Sequence, residues 1–597
     1  NNTMQETFID ANSLYASNLR GTNYGEELTT DMKSKSLLPV GGEYREDFTR
    51  NDNYTTRLQF DFTKFLDCDS KHLINAALGF ELTSSKYDGK RQTHRGYLPE
   101  RGKIFAEIDP DVYPEFTKWK MKDENARSIV TDNIQNEMSA YFTLTYTLNN
   151  AYSFNFNTRA DASNKFGDRS NEKILPVWSV SASWDMKANI LKDVSWVNGL
   201  SVRSSFGYQG NMLEDQSPVM LIQKNPMDPY YNEMTSKITR NPNPNLKWEK
   251  TSSFNTGLMF SLLRNRVQVE GQYYYKRTKD AFMTKEVANM NGVDSYVING
   301  GDVENKGYSV DITVSPISRQ NVRWTLSTSF SKNFNKVKND PDAQTYNYSD
   351  FLNGTVVVKD KAVNTFYSYK FIGISPVDGG PMFDDMENNK HELSGLSKYE
   401  TFTRVLKASG RREPYMSGGL STTLRYKNLR MSAMFSYSLG AKTRLFRMFN
   451  DNIKPEFNVH RDFLKRWQKP GDEKSTNIPS LMSYGSAAYY RYYTHYSNLF
   501  DDIQPFASDA WTMYDYSDAR VVSANYLKCS SLSFTYDIGE RILPKIGMSR
   551  LALTLSGTNL FTLCSSKLKG QTPTQGGFSE IQLSERPTYS FGLSVSF

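Results

Sequence analysis

The feature that most constrains this fold is a two-residue alternation of apolar and polar side chains that recurs along most of the chain. Its cleanest example is the C-terminal stretch RPTYSFGLSVSF. There the apolar residues at every second position are Tyr589, Phe591, Leu593, Val595 and Phe597. Successive side chains of a β-strand point to opposite faces of a sheet, so the pattern predicts strands with one apolar and one polar face. Fifteen such segments lie between residues 54 and 597.

Turn residues separate these alternating segments. One run covers residues 142–148, and Asn149 and Asn150 lead into a second run over residues 152–159. Two Asn residues between two alternating runs predict a β-hairpin.

The connections between the predicted strands alternate between short and long. The short ones lie near residues 66–70, 149–150, 188–197, 263–266, 316–321, 427–428 and 538–548. The long ones lie near 87–135, 210–246, 284–302, 339–412, 442–521 and 563–584, with a shorter member near 164–173. Short turns at one end and long loops at the other are typical of a transmembrane antiparallel β-barrel. Soluble β-sandwiches and propellers also alternate, but propeller blades repeat at a fixed period, which these loops do not.

Composition narrows the class further. Hydrophobic residues make up only 38% of the chain, and no run approaches the roughly 18 apolar residues that a membrane helix needs. A barrel, in contrast, keeps the polar face of each strand hydrated, which fits a mean hydropathy of −0.61. The net charge of +7 is spread along the chain without a basic stripe, which argues against nucleic acid as a partner. The three cysteines show neither a disulfide framework nor zinc spacing.

Nothing in the sequence predicts an enzyme. The five histidines show no HExxH or paired spacing, and neither a phosphate-binding loop nor a G-x-S-x-G elbow is present. Two acid–base pairs on predicted polar faces, Arg57 with Asp61 and Arg159 with Asp161, are interpreted as solvated wall charges.

Several segments resemble the barrel of the SusC/RagA-like TonB-dependent transporters. They include NEMSAYFTLTYTLNNAYSFNFNTRADASNKFG, LPVWSVSASWDM, NPNPNLKWEKTSSFNTGLMF, VENKGYSVDITVSP, RWQKPGDE, ANYLKCSSLSFTYDI and LSGTNLFT. The resemblance covers most of residues 54–597. It implies a twenty-two-stranded barrel around an N-terminal plug, in the outer membrane of a Gram-negative bacterium of the Bacteroidota.

Counting back from Phe597 as the end of strand 22, the resemblance implies that the fifteen segments are strands 8 to 22. Residues 1–53 are then expected to lie in an extracellular loop, and residues 54–597 to form the C-terminal part of the barrel. The plug, strands 1–7 and the segment that contacts TonB are expected in a separate chain or a further segment. We therefore expect the final strand to pair with a strand from outside residues 54–597.

The resemblance also implies a function. It implies uptake of large nutrients, either glycans and oligosaccharides or peptides, driven by TonB–ExbB–ExbD and assisted by a SusD-like surface lipoprotein as a lid. Lipid and lipopolysaccharide would surround the barrel, and two transporter–lid pairs would form a dimer. A structural or assembly role, as a scaffold for surface lipoproteins or secretion machinery, stays open, and a passive porin is a weaker alternative.

Three groups of residues are candidates for function. The candidates for contact with substrate or lid lie in the longest loop, since aromatic faces stack on sugars and hold peptide side chains: Tyr489, Tyr490, Arg491, Tyr492, Tyr493, His495 and Tyr496. The alternative, which we favour at this stage, is that they pack the loop or dock the lid.

The second group is an acidic loop with oxygen ligands for calcium: Asp378, Asp384, Asp385 and Glu387. Its spacing is not that of an EF-hand, so a solvated acidic loop is the favoured interpretation and no cofactor is predicted. The third group is the terminal strand, whose final Phe resembles the assembly signal of this class of barrel: Tyr589, Phe591, Leu593, Val595 and Phe597.

Overall fold

The computed structural model describes residues 2–597 apart from 23–28, 123–128, 165–173, 212–219, 229–230, 232, 241–246, 287–294, 340–345, 450–459, 498–505, 507–508, 540–542, 544–546 and 575–584. The strands in chain order are β1 (Asn2–Ile9), β2 (Gly42–Phe65), β3 (His72–Leu98), β4 (Ile104–Phe105), β5 (Ile129–Leu148), β6 (Tyr152–Ser163), β7 (Ile174–Asp185), β8 (Val197–Asn211), β9 (Leu221–Asp228), β10 (Glu233–Arg240), β11 (Glu249–Leu262), β12 (Val267–Glu286), β13 (Ser295–Ser318), β14 (Val322–Val337), β15 (Thr365–Ser368), β16 (Phe371–Ile374), β17 (Pro381–Phe383), β18 (Lys407–Arg411), β19 (Met416–Tyr426), β20 (Leu429–Leu439), β21 (Lys442–Arg444), β22 (Val521–Ser523), β23 (Tyr526–Asp537), β24 (Arg550–Cys564) and β25 (Thr588–Ser596).

The helices are short and lie in the connections. They are α1 (Leu14–Arg20), α2 (Thr30–Lys35), α3 (Pro114–Lys122), α4 (Met186–Asn189), α5 (Tyr348–Asn353), α6 (Lys398–Val405), α7 (Ala487–Ser497) and α8 (Ala510–Asp515). Among the described residues, every helix falls short of the length and apolar character required to cross a membrane.

One antiparallel meander dominates the molecule, as the alternation predicted. Its fifteen long strands pair in the order β2, β3, β5, β6, β7, β8, β11, β12, β13, β14, β19, β20, β23, β24 and β25. We call this sheet the strand wall. The short β1 pairs with the first part of β2, from Ile9 opposite Glu43 to Asn2 opposite Arg50.

The first two wall strands are longer than the sequence pattern indicated. β2 has 24 residues and begins at Gly42, well before the predicted boundary at residue 54, and β3 has 27 residues. A membrane-spanning strand needs only about 9–11 residues. The ladder between β2 and β3 therefore extends far beyond any hydrocarbon layer, and β1 adds to that extension. The expected extracellular position of residues 1–53 stays a prediction.

The register aligns the apolar side chains across neighbouring strands. Phe60 lies opposite Leu78 and Leu78 lies opposite Phe142, while at the far edge Leu555 lies opposite Phe591. These side chains are accessible: Phe60 exposes 65% and Phe591 72% of its surface. One face of the strand wall is thus a continuous apolar surface, and the other is polar.

Short connections fall where the sequence placed them. The hairpin between β5 and β6 turns at Asn149 and Asn150, whose φ angles of 52° and 53° belong to the left-handed region that a two-residue hairpin turn requires. The predicted connection near 164–173 lies mainly outside the described residues.

The two edges of the strand wall do not pair with each other. In the described part of the chain, residues 54–65 of β2 pair only with β3, and β25 pairs only with β24. The sheet between residues 54 and 597 is therefore open.

The polar face carries ion pairs between strands, and one differs from the sequence expectation. Arg57 donates from Nε to Glu81 Oε2 at 2.7 Å rather than pairing with Asp61, whose carboxylate accepts from Gln59 at 2.8 Å. Glu81 lies directly opposite Arg57 in the register, which decides the partner. Arg159 does bind Asp161, with 2.6 Å from Nε to Oδ1.

The second structural unit is a packed core formed by two long connections. Residues 346–415, between β14 and β19, and residues 440–525, between β20 and β23, surround one apolar cluster as far as they are described. We call this unit the loop core. Its most deeply buried members are Phe351, Val356, Tyr367, Tyr369, Phe383, Phe402, Val405, Leu406, Ala510, Met513 and Tyr514.

Candidate functional site

Helix α7 carries the tyrosine-rich segment and has two distinct faces. Tyr489, Tyr492 and Tyr496 follow the i, i+3, i+7 spacing of one helix face and pack into the loop core, where Tyr489 and Tyr496 are buried. The ring of Trp511 stacks on Tyr489 with centroids 5.5 Å apart and meets Tyr492 edge to face, also at 5.5 Å. This face of α7 packs into the loop core.

The 375–387 segment fixes the position of α7 through Asp378. One carboxylate oxygen accepts from the Tyr492 hydroxyl at 2.7 Å, and the other receives Arg491 Nη2 at 2.8 Å. Burial alone would raise the pKa of Asp378, but the hydrogen bonds from Tyr492, Ser375 and Gly380 and the charge of Arg491 lower it below the ordinary value. Burial and the bond to Asp378 raise the pKa of Tyr492 to about 12. The contact therefore joins an anionic carboxylate to a neutral phenol.

The two glycines after Asp378 allow close packing against this segment, Gly380 by α7 and Gly379 by Trp467. A Cβ at Gly380 would lie 2.1 Å from the Tyr492 ring, and a Cβ at Gly379 would lie 2.2 Å from the Trp467 ring. Gly379 also has a φ of +74°. Gly380 is thus required for packing α7 against this segment, and Gly379 for packing Trp467 against it.

The face of α7 beside this buried one is open to solvent. Tyr490 is 49% exposed and Tyr493 is 40% exposed, with their ring centroids 6.3 Å apart. Tyr484, three residues before the helix, is 83% exposed and contacts Tyr489 at 5.1 Å. We call Tyr484, Tyr490 and Tyr493 the tyrosine patch. Sequence reasoning missed Tyr484, although its short distance from the helix start was a usable signal.

His495 contacts the acidic loop rather than the tyrosine patch. Its Nε2 lies 2.8 Å from Asp385 Oδ2, and the other oxygen of Asp385 accepts the backbone N–H of Glu387 at 3.0 Å. Ligand atoms of His495, Asp385 and Glu387 all lie within 4.8 Å of one another. Three donors from two separate connections therefore converge on one point.

The four acidic residues proposed from sequence as calcium ligands are divided in the structure. Asp378 binds α7, Asp384 pairs with Lys370 at 3.3 Å, and Asp385 and Glu387 join His495. Asp378 and Asp384 are thus held by cationic or phenolic partners. Asp385 and Glu387 lie beside the His495 imidazole, which the sequence spacing did not predict. A solvated acidic loop stays the favoured interpretation, and calcium binding stays the alternative.

Charged groups are also buried at the base of the loop core. Arg444 donates to the carbonyls of Leu352 at 2.9 Å and Tyr367 at 2.8 Å. Asp515 is fully buried and accepts the N–H groups of Met448 and Phe449 at 2.9 and 2.8 Å.

Arg520 Nε lies 3.8 Å from Asp515 Oδ1. Burial raises the pKa of Asp515 to about 7, while the charge of Arg520 and the backbone N–H donors oppose that rise.

The terminal strand occupies the position that the alternation predicted. Tyr589, Phe591 and Leu593 are exposed on the apolar face of β25, and the exposed Phe597 directly follows the strand. Val595 is opposite Leu551 on the same face. The role of this strand as an assembly signal stays a prediction.

A wall with an apolar face, a polar face, short turns at one end and long loops at the other defines a membrane-spanning antiparallel β-barrel. Residues 3–379 match the family described as TonB dependent receptor-like, beta-barrel. The chain therefore belongs to this family of TonB dependent receptor-like β-barrels.

Individual relatives of the chain are also named as TonB-dependent receptors. The chain is 25% identical over 454 residues to TonB-dependent receptor P3 of Formosa agariphila, covering 71% of this chain and 41% of that protein. It is 26% identical over 491 residues to the TonB-dependent receptor SusC of Bacteroides thetaiotaomicron, covering 78% and 44%. The chain thus matches less than half the length of these curated relatives.

Among solved structures, the fold is similar to that of the RagAB peptide importer in its open-open state. The TM-score is 0.75 at 19% identity, covering 100% of this chain and 58% of the other.

Proposed function

We propose that the protein imports large nutrients, glycans or peptides, across the outer membrane of a Bacteroidota bacterium, with energy from TonB and with a SusD-like lipoprotein as its lid. The observation that carries this proposal is the two-faced strand wall of a TonB-dependent receptor-like barrel. Its apolar face suits lipid, and its polar face offers a hydrated path. The SusC of Bacteroides thetaiotaomicron and the RagAB importer, named as a peptide importer, support the same activity.

The strand wall requires further strands to become a barrel. The open edges at residues 54–65 and 588–596 suit pairing with strands 1–7 of such a transporter, since unpaired backbone groups are costly in lipid. In this proposal the polar face, including Arg57, Glu81 and Arg159, surrounds the plug and the path of the substrate.

The tyrosine patch is the surface that we propose for contact with the substrate or the lid. Tyr484, Tyr490 and Tyr493 present ring faces and hydroxyls on a helix held rigidly by Asp378 and Trp511. Rigid tyrosines provide large contact area at low entropic cost, for sugars, peptides and protein partners alike. Of the residues proposed from sequence, Arg491 is exposed beside this surface, whereas Tyr489, Tyr492 and Tyr496 support it from below.

Growth of a deletion strain tests the proposal. A strain that lacks the gene is grown on single glycans and on peptide mixtures as the sole carbon source, with and without the wild-type gene restored. Import predicts loss of growth on at least one nutrient class and rescue by the restored gene. Normal growth on every nutrient, combined with loss of surface lipoproteins, would favour the scaffold instead.

Variants of the tyrosine patch refine the test. Replacing Tyr490 and Tyr493 together by Ala should slow growth on that nutrient while the protein stays at its normal level in the outer membrane. Tyr536→Ala is the matched control, because Tyr536 is equally exposed, at 50%, but lies beside the short connection after β23. Equal growth of both variants would remove the tyrosine patch from the proposal without affecting the import function.

A further inference from the structure

The cluster of His495, Asp385 and Glu387 carries more negative charge than its own groups can neutralise. Two carboxylates face a single imidazole within 4.8 Å. In the described part of the chain, His495 is the only group of opposite potential charge placed against Asp385, and the Glu387 carboxylate has no ion pair. Even a protonated imidazole leaves one negative charge in excess. A divalent cation would neutralise the two carboxylates beside a neutral imidazole.

We propose that His495, Asp385 and Glu387 bind one divalent transition-metal ion of the zinc type, which fastens α7 to the acidic loop. An imidazole nitrogen with two carboxylate oxygens is a donor set that suits Zn²⁺. Calcium prefers six to eight oxygen ligands, so the nitrogen donor argues against it at this point. Three protein ligands leave the remaining coordination position to water.

The geometry is close to that of a loaded site. Zn²⁺ lies about 2.0–2.1 Å from nitrogen and oxygen ligands, which sets neighbouring donor atoms roughly 3.3 Å apart in a tetrahedron. His495 Nε2 and Asp385 Oδ2 are 2.8 Å apart, so the ion requires them to separate by a few tenths of an ångström. Glu387 is exposed on a flexible side chain and supplies the larger movement.

The position of the cluster gives the ion a mechanical role. His495 lies in the last turn of α7, while Asp378 binds Arg491 and Tyr492 in the middle of the helix. A metal at His495 adds a second attachment to the same acidic loop. It would hold Tyr490 and Tyr493 in a fixed orientation.

Metal binding to the purified full-length transporter, stripped with chelator, tests this site directly. Zn²⁺ content and Co²⁺ absorption spectra are compared between wild type, His495→Gln and Glu387→Gln. Gln at 495 keeps a hydrogen-bond donor for Asp385 but removes the imidazole ligand, which separates metal binding from folding. We expect one fewer bound equivalent, or affinity weakened by about 100-fold, the upper end of the loss seen when outer-shell partners of metal ligands are removed.

Two nearby substitutions serve as matched controls. His391→Gln alters an exposed histidine of the same connection, and Asp384→Asn alters an acid that pairs with Lys370. Both should bind metal as wild type does. The same stoichiometry and affinity in His495→Gln as in wild type would overturn the site.

Hydrogen exchange of α7 tests the mechanical role. Zn²⁺ should slow the exchange of the α7 amides in wild type and leave His495→Gln unchanged. Bound Zn²⁺ without slower exchange would refute the fastening role. Neither experiment measures transport, so a negative result for the metal site leaves the proposed import function untouched.

Discussion

The strand wall and the loop core bury their apolar side chains in opposite ways. In the strand wall, Phe60 and Leu78 point outward and remain 65% and 57% exposed, while the ion pairs face inward. In the loop core, Phe351 and Phe402 are completely buried around a common centre. The wall thus requires lipid to cover its apolar face, whereas the loop core folds like a small water-soluble domain. The two regions of one chain are therefore suited to two different solvents, and substitutions should separate them.

The largest effect is expected in the centre of the loop core. Phe402→Ala removes a fully buried ring and should lower the stability of the loop core by about 3–5 kcal/mol. Limited proteolysis of the loop core, compared with heat resistance of the barrel in detergent, measures the two regions separately. The loop core should become sensitive to protease while the barrel keeps its resistance.

Arg404→Ala on the same helix is the control for Phe402→Ala, because Arg404 is exposed. It should leave the proteolysis pattern unchanged. Simultaneous loss of barrel resistance in Phe402→Ala would show that the two regions do not unfold independently.

Asp515 should give the loop core a dependence on pH. Its pKa is raised to about 7 in the folded state, mainly by burial, from the ordinary value of 3.8. A raised carboxyl pKa means that folding favours the protonated form, so this contribution to stability is complete below about pH 4 and is lost as pH rises to about 7. A pKa difference of one between the folded and unfolded states corresponds to about 1.4 kcal/mol, which gives a contribution of up to about 4 kcal/mol.

Melting of the loop core between pH 4 and pH 8 measures this contribution when wild type is compared with Asp515→Asn. Other carboxylates, such as Asp378 with its lowered pKa, act in the opposite direction and cancel in the difference between the two proteins. The stability of wild type relative to the variant should fall as pH rises. A wild-type advantage that grows with pH would instead show that Asp515 is held ionised by Arg520.

A charge on the apolar face tests the strand wall. Leu78→Arg places a guanidinium toward lipid and should cost about 2–4 kcal/mol if it lies near the middle of the bilayer. The neighbouring Ala77→Arg provides the matched control, because residue 77 lies on the polar face opposite Asp61. Outer-membrane abundance of the folded barrel should fall for Leu78→Arg and not for Ala77→Arg. Equal loss for both would contradict the assignment of the faces.

The two regions also differ in how far the sequence predicts them. The strand wall follows from alternation, because each of its strands has one face in each solvent and carries its own local pattern. The strand register is harder to predict from the sequence. Arg57 pairs with Glu81, for example, and only the pairing of β2 with β3 places Glu81 opposite it. The start of β2 at Gly42 was missed because its first part places the charged residues Arg45, Glu46 and Asp47 in a row, which breaks the alternation of apolar and polar side chains.

The loop core was not predictable in the same way. Its contacts join residues more than a hundred positions apart, such as Tyr492 with Asp378 and His495 with Asp385. The helical spacing of Tyr489, Tyr492 and Tyr496 could have been recognised from the sequence. Which face of the helix is buried could not, because tyrosine occurs on buried and on exposed faces alike. The contact of His495 with Asp385 and Glu387 depends on the packing of the whole loop core.

The smallest loss of stability is expected for a Gly→Ala substitution, and one glycine from each region provides the comparison. Gly380→Ala in the loop core would place a Cβ 2.1 Å from the Tyr492 ring, and overpacking of this kind costs about 1–3 kcal/mol. The strain should weaken the bond between Tyr492 and Asp378 and loosen α7, seen as faster hydrogen exchange of its amides. Gly271→Ala in β12 is the counterpart in the strand wall, where a Cβ meets nothing within 4 Å. That variant should keep wild-type stability, because an open lipid-facing position accepts a methyl group and a packed one does not.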